Sequence, residues 1–260
     1  MKRFLAAVRF LTILPLPGKL GTEERDLAPS APFFPLVGLL IGVVAGGFAA
    51  AVPNHVLPPL PAGVMIVIVL LGVSGALHAD GLSDTADGFL SSRPRERVLG
   101  IMRDSRVGVM GVIAVVCVLA LKVAALSVFA WSDLWPKVVL MPVAGRCGMV
   151  IAMMLLPYAR SEGGLGSVFY RNRSPLGRWA CAIWAAAVLA VAAWLLQGVG
   201  GLIAAAAAIA AVLLFSWHCH RRIQGATGDT LGATCEIAET AIILAFSVYR
   251  VNYLSAGAWA

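Results

Sequence analysis

Charged residues are scarce in this 260-residue sequence, and its cysteines are not grouped. Charged residues make up 13%, against the roughly 25% of a typical soluble domain. Hydrophobic residues make up 60%, and the mean hydropathy is +0.89. This balance excludes a water-soluble globule and a disordered chain. The five cysteines occur singly, without a Cys-x-x-Cys pair, which excludes a disulfide scaffold and indicates reduced thiols that pack as small apolar groups. The sequence therefore predicts an all-α, polytopic integral membrane protein.

Seven apolar stretches approach the roughly 20 residues that a helix needs to cross a bilayer core. They are residues 33–52, 61–79, 107–131, 134–157, 179–199, 200–218 and 231–250. Gly198, Gly200 and Gly201 separate the fifth stretch from the sixth and suit a tight turn between antiparallel helices. The seventh is the weakest candidate because it contains Glu236 and Glu239. Residues 1–25 mix basic and apolar side chains without a signal-peptide cleavage site, which predicts an interfacial segment.

Most of the 20 basic residues lie in alternate connecting segments. These segments are the N-terminal one and the loops 80–106, 158–178 and 219–230. Lys and Arg accumulate in cytoplasmic loops, so this partition predicts a cytoplasmic N-terminus and seven spans in one membrane domain. It also accounts for the net charge of +7 without nucleic acid as a partner. Asp133 is the only acid on the opposite side, and chemistry is therefore expected at the cytoplasmic face.

The densest group of acids follows the second apolar stretch. Asp80, Asp84 and Asp87 recur at i, i+4 and i+7, which places them within an arc of about 60° on a helix. Carboxylates this close repel one another unless a cation or protons neutralise them, and hard oxygen ligands suit Mg²⁺ or Mn²⁺. We predict a catalytic metal site on these three residues, joined by Asp104 from the same loop. The alternative is a solvated helix end that pairs with nearby arginines.

Three arginines are candidates for binding phosphate. Arg103 and Arg106 bracket Asp104, and guanidinium groups bind phosphate oxygens in a bidentate manner. The alternative for both is charge that only sets membrane orientation. Arg146 lies in the middle of the fourth apolar stretch, where it needs either a buried acid or a substrate phosphate as its partner. His78, two residues before the first acid, belongs either to the acidic site or to the membrane interface.

A second polar cluster, GATGDTLGATCE, covers residues 225–236. Its glycines and threonines predict a turn into a helix, and the free backbone amides at such a helix start suit an anion. Asp229, Glu236 and Glu239 fall within an arc of about 80° on that helix. Carboxylates inside a span are costly and are generally functional, although Asp229 by itself is also a good helix cap. We predict that Thr227, Asp229 and Glu236 bind substrate.

These clusters together indicate metal-assisted transfer of a phosphate-linked group. A divalent cation neutralises a diphosphate, and a carboxylate or a metal-bound oxygen takes the proton of the attacking hydroxyl. The segment Asp84-x-x-Asp87-Gly88 is similar to the start of the CDP-alcohol phosphotransferase signature, but the remainder of that signature is missing at its expected spacing. Such a phosphotransferase of lipid synthesis is one alternative function. A cation transporter is another, which the crowding of the acids at one face disfavours.

Motifs along nearly the whole chain resemble the cobalamin synthase family, also called adenosylcobinamide-GDP ribazoletransferase. They are LHADGLSDTADGF at 77–89, IMRDSRVG at 101–108, the Gly-Arg pair at 145–146, YAR and GLG within 158–166, and GATGDTLGATCE at 225–236. They occur in the order of the family, and the first and last are long enough to be specific. The runs RFLTILPLP and FFPLVGLLIG near the N-terminus also look like that family.

The resemblance implies a multi-pass enzyme of the bacterial inner membrane whose active site faces the cytoplasm. It implies that Mg²⁺ supports the joining of adenosylcobinamide-GDP to α-ribazole, or to its 5′-phosphate, with release of GMP. The expected chemistry is attack of the ribazole 3′-hydroxyl on the phosphorus nearer cobinamide. We then expect the metal on Asp80, Asp84, Asp87 and Asp104, and substrate on Arg103, Arg106, Arg146, Thr227, Asp229 and Glu236. The oligomeric state stays open.

Overall fold

The computed structural model describes residues 1–51, 57–170 and 174–257. Its helices are α1 (Lys2–Leu11), α2 (Glu24–Leu27), α3 (Phe34–Ala51), α4 (Pro59–Ser74), α5 (Leu77–Phe89), α6 (Arg95–Ile101), α7 (Val109–Ser127), α8 (Trp131–Leu155), α9 (Pro175–Ile223) and α10 (Gly228–Gly257). Short 3₁₀ helices cover Ala28–Phe33 and Leu165–Tyr170. Within these ranges the only β-type pairing is an isolated bridge between two loops. The predicted all-α fold is confirmed.

The helices have the lengths and composition of membrane spans. Five are long and apolar enough to cross a bilayer, and the bent pair α4–α5 would add a sixth. The 49-residue α9 is broken at Gly198, whose φ of +55° and ψ of −137° are not helical. A Cβ on Gly201 would overlap the carbonyl group of Ala193, so the chain folds back there as predicted. If the halves of α9 are counted separately, the crossings number seven; that number and the cytoplasmic N-terminus stay predictions.

Helix α8 forms the centre of the bundle, in contact with α3, α9 and α10. Every residue from 136 to 154 is buried. Glycines spaced four apart on α3 permit the tightest of these contacts: a Cβ on Gly38 would lie 2.5 Å from the Pro142 carbonyl oxygen, and one on Gly42 would lie 2.5 Å from that of Val139. Small residues at this spacing let two backbones approach within a membrane, where dispersion contacts replace the hydrophobic effect as the source of helix association.

The second apolar stretch, predicted as a span over 61–79, contains a sharp turn. Helix α4 ends at Ser74, and Gly75 and Ala76 both adopt left-handed conformations, with φ of +61° and +55°. Helix α5 leaves at 93° to α4, so the last residues of the predicted span belong to a different helix. The predicted end of the span at residue 79 lies beyond this turn, because hydropathy continues across a turn that glycine permits at little steric cost. We treat α4 as the part of this pair that crosses the bilayer and α5 as lying outside the spanning segments.

The three basic loops meet at one end of the bundle. The Arg95 side chain, at the start of α6, donates to the carbonyl oxygens of Ile223 at 2.9 Å and Ala159 at 2.7 Å. Arg222 donates to the carbonyl oxygen of Phe89 at 3.1 Å. The loops therefore share a side, as the alternation of basic segments predicts.

The N-terminal segment folds against the same bundle. Helix α1 buries Ala6, Ala7 and Leu11, and it packs on α3 and on the first 3₁₀ helix. Arg9 donates to carbonyl groups of the following turn, including those of Leu16 and Gly18. Residues 1–25 thus begin with an amphipathic helix, while their placement at the membrane interface stays a prediction.

Candidate functional site

Helix α5 crosses the start of α10 at very short range. A Cβ on Gly81 would lie 2.7 Å from the Asp229 carbonyl oxygen, and one on Gly232 would lie 3.2 Å from the His78 carbonyl oxygen. Glycine at both positions removes the side chains that would hold the helices apart. As a result, Asp80 and Asp229, which are far apart in sequence, line one cavity of about 220 Å³.

Asp84 lies on the same face of α5 and interacts with both of these acids. Its partial burial, together with the negative charges of Asp80 and Asp229, raises the pKa of Asp84 to about 6. Burial disfavours the ionised carboxylate first, and the neighbouring negative charges disfavour it further. We call Asp80, Asp84 and Asp229 the acidic cleft. The structure thus brings together one acid of the second predicted cluster and two of the first.

Arg160 supplies the cation that contacts the cleft. One of its guanidinium nitrogens, Nη2, lies 2.7 Å from Asp229 Oδ2. The loop that carries Arg160 is fastened beside the start of α10, since the Ala159 amide donates to the Ala226 carbonyl at 2.9 Å and the Ala226 amide donates to the Pro157 carbonyl at 2.8 Å. Sequence reasoning did not assign Arg160 to the site. Its place in the YAR motif was the one available signal.

Thr227 caps α10 and orients Asp229. The Thr227 amide donates to Thr230 Oγ1 at 2.8 Å, and the Thr230 amide donates to Thr227 Oγ1 at 3.2 Å. Thr227 Oγ1 also donates to Asp229 Oδ2 at 3.3 Å. Thr227 is fully buried, so it acts through Asp229 in this structure, and the predicted direct contact with substrate stays a prediction.

Asp87, the third acid of α5, caps the start of α7. Its Oδ2 accepts from the Gly108 amide at 2.7 Å, and its Oδ1 accepts from the Gly111 amide at 2.8 Å. A carboxylate at a helix start satisfies free amides and complements the helix dipole. Asp87 is therefore committed to the first turn of α7, whereas the sequence predicted it as a metal ligand.

Asp104 and its neighbouring arginines also have partners. Asp104 accepts from the Arg106 side chain at 2.6 Å and 3.0 Å, and this pairing lowers the pKa of Asp104 to about 2. Arg103 is ion-paired with Glu162. Arg103 also lines a cavity of about 420 Å³ together with Arg160. The structure therefore connects Arg103 with the edge of the acidic cleft, and it ties Asp104 to Arg106 on the surface.

Arg146 and Glu236, both predicted to bind substrate, lie in a buried ion network. Lys122 Nζ lies 2.6 Å from Glu236 Oε2 and 2.7 Å from Glu239 Oε2, and Arg146 is ion-paired with Glu239. The side chains of all four are 3–5% exposed. The charges of Lys122 and Arg146 balance those of Glu236 and Glu239. Such a balance is needed because an unpaired charge is costly inside the membrane-spanning bundle. Sequence reasoning had assigned neither Lys122 nor Glu239.

The acidic cleft suits an open magnesium site better than a closed one. Over the described residues, no group of three or more His, Cys, Asp or Glu side chains is arranged to hold a metal ion. Mg²⁺ commonly binds through one or two carboxylates, keeps several waters and takes further oxygens from substrate phosphates. Asp80 and Asp84, whose negative charges repel one another, fit that donor set. The metal itself stays a prediction.

Comparison with known proteins gives a consistent match. The family model described as cobalamin-5-phosphate synthase matches residues 3–247. An adenosylcobinamide-GDP ribazoletransferase of Acetivibrio thermocellus is 35% identical over 96% of this chain and 99% of its own length. Proteins of the same name are 39% identical in Desulforamulus reducens (91% of this chain, 92% of the relative) and 45% identical in a Roseiflexus species (90% and 84%). No solved structure matches the chain.

Proposed function

The chain belongs to the cobalamin-5-phosphate synthase family, and from that membership we propose that it is an adenosylcobinamide-GDP ribazoletransferase. It transfers the cobinamide-phosphate group to the 3′-hydroxyl of α-ribazole, or of its 5′-phosphate, and it releases GMP. The product is adenosylcobalamin or its phosphate. The observation that carries the proposal is the position of the two most specific motifs: residues 77–89 and 225–236 form the two sides of the acidic cleft.

Asp80 and Asp84 would hold Mg²⁺ in this proposal. When bound, the ion neutralises the diphosphate and stabilises the departing GMP. Asp229 takes the proton of the attacking hydroxyl. Arg160 and Thr227 both bind its Oδ2, and no hydrogen bond from the described residues reaches Oδ1. Oδ1 is therefore the atom assigned to accept the proton, with Oδ2 held in place.

The arginine-lined cavity beside the cleft suits the diphosphate. Arg160 borders both sites, since it contacts Asp229 and lines the 420 Å³ cavity with Arg95 and Arg103. A diphosphate that spans this border would meet guanidinium groups on one side and the metal on the other. The pair Arg103–Glu162 is largely exposed, so exchanging the carboxylate for a phosphate costs little. Arg106 stays a candidate contact from the adjoining loop.

The proposed location is the bacterial inner membrane, with the cleft open to the cytoplasm. The basic loops contact one another at the end of the bundle that carries the cleft. Under the positive-inside rule that end is cytoplasmic. Nucleotide-linked substrates are charged and water-soluble, and they reach this face without crossing the bilayer.

The test is GMP release by the purified protein in liposomes. With adenosylcobinamide-GDP, α-ribazole and Mg²⁺, we expect GMP and a corrinoid product of the expected mass, and we expect neither after chelation. Asp84→Asn should abolish turnover while the protein still inserts and folds. Asp26→Asn, an acid in the short helix α2 and outside the cleft, is the matched control and should retain activity. Turnover of CDP-diacylglycerol with an alcohol, in place of the corrinoid pair, would overturn the proposal.

A further inference from the structure

The cavity beside the acidic cleft has mainly apolar and aromatic walls. Phe10, Phe169, Met149 and Met153 line it, and its volume is about 220 Å³. The rings of Phe10 and Phe169 lie 5.1 Å apart between centroids, which forms an aromatic corner. We call this space the aromatic cavity. Flat aromatic groups are favoured between such rings and polarisable methionine side chains.

One polar side chain in the wall lacks a partner. His78 is 1% exposed, and neither of its ring nitrogens has a hydrogen-bond partner within the described parts of the chain. A buried polar group without a partner costs free energy. A ligand with a hydrogen-bonding nitrogen would remove that cost. The unpaired histidine is therefore evidence that a ligand binds in this cavity.

We propose that the aromatic cavity binds the planar base of the acceptor nucleoside, with His78 donating an N–H to the free ring nitrogen of that base. The inference rests on the proposed function, which supplies a benzimidazole riboside as acceptor. Asp80 and Asp229 line the same cavity. A base bound there therefore places its ribose at the acidic cleft, where the 3′-hydroxyl must react.

The other aromatic groups in the reaction fit this cavity less well. A guanine edge carries several donors and acceptors. With Asp80 assigned to Mg²⁺ and Asp229 held by Arg160, His78 alone would serve that edge, and most of its groups would stay unpaired, which costs binding free energy. Pockets for drug-sized ligands measure about 300–1,000 Å³, and a corrin ring with its side chains needs more space than 220 Å³. A benzimidazole has one free ring nitrogen, which matches the buried His78, whose ring nitrogens have no partner among the described residues.

The test measures α-ribazole binding and turnover with the protein in nanodiscs. For His78→Phe we expect a Kd for α-ribazole about tenfold higher, the effect of one hydrogen bond, and a KM for adenosylcobinamide-GDP within twofold of the wild-type value. Met153→Ala should enlarge the cavity and shift the preference among ribosides towards bases larger than dimethylbenzimidazole. Met141→Ala is the matched control, because Met141 is equally buried in α8, and it should leave that preference unchanged.

The outcomes separate this inference from the proposed function. If the wild-type protein turns over both substrates but His78→Phe and Met153→Ala leave α-ribazole affinity and base preference unchanged, the base binds elsewhere. A rise in the KM for adenosylcobinamide-GDP alone would also overturn the inference. A wild-type protein that binds α-ribazole yet releases no GMP would refute the transferase activity. Should His78→Phe not fold, Met153→Ala and its control decide the question.

Discussion

Lys122→Met should destabilise the bundle strongly, because it leaves two buried carboxylates with one cation. The Lys122 ammonium lies 2.6 Å from Glu236 and 2.7 Å from Glu239, and the residue is 2% exposed. Methionine retains most of the aliphatic chain, so the change removes charge and little volume. Removing one partner of a buried ion pair costs about 3–5 kcal/mol. Since this lysine serves two acids, we expect a loss of about 4–5 kcal/mol in the free energy of unfolding.

A second substitution tests whether charge balance is the cause. In Lys122→Met combined with Glu236→Gln, the remaining pair Arg146–Glu239 is neutral. The double variant should regain about 2 kcal/mol or more relative to Lys122→Met, a non-additivity that groups in direct contact commonly show. If lost packing were the cause, the two effects would add and the double variant would be the less stable of the two.

The measurement is reversible unfolding in detergent micelles, followed by circular dichroism. Lys19→Met, at an exposed site, is the matched control and should change stability by less than about 0.5 kcal/mol. A cost below about 1 kcal/mol for Lys122→Met would place it in the range of exposed ion pairs. That result, or a double variant no more stable than the single one, would refute the network as the structure shows it.

Three further substitutions have defined outcomes. Asp84→Asn should stop GMP release yet stabilise the metal-free protein at pH 7.5 by about 1 kcal/mol, a figure reduced for the partial exposure of Asp84. The raised pKa of about 6 means that folding disfavours the ionised form of Asp84. The stability gained by Asp84→Asn should therefore shrink as the pH falls from 6 and vanish below the ordinary carboxyl pKa near 4. Denaturation at a series of pH values would measure this change. Asp87→Ala should lower the free energy of unfolding by about 1–2 kcal/mol, because the Gly108 and Gly111 amides lose their acceptor; unchanged thermal unfolding would contradict the cap. Arg160→Gln should raise the KM for adenosylcobinamide-GDP about tenfold, and initial rates at varied substrate would show an unchanged KM if the diphosphate binds elsewhere.

The helices were predictable because a bilayer leaves the backbone few choices. Apolar stretches must pair their amides internally, and helices do so within one segment. The turn at Gly198 was predictable because glycines separate two apolar stretches there. The break between α4 and α5 was not predictable. Gly75 and Ala76 lie in a run that hydropathy scores as continuous, and a left-handed pair of residues depends on the tertiary packing of α5 against α10.

The site was only partly predictable. The spacing of the acids shows which face of a helix they share, but it does not show which other segment contacts each of them. Asp80, Asp84 and Asp87 share an arc of α5, yet the first turn of α7 reaches Asp87 alone. Asp104 pairs with Arg106, only two residues away in sequence. This local ion pair forms in place of a metal site shared with the acids of α5. These competing contacts depend on where the loops end, and the spacing of acids carries no information about that.

The charges of the two acidic regions explain why metal chemistry belongs to one of them. In the buried network, Lys122 and Arg146 balance two glutamates, and no charge remains for a cation to neutralise. In the acidic cleft, the described residues supply one ion-pair contact, from Arg160 to Asp229. Asp80 and Asp84 are left as two negative charges, which one divalent cation would balance. An acid inside a span therefore indicates that a partner exists, whereas an acid whose charge stays uncompensated at the edge of a cavity indicates a site for a ligand.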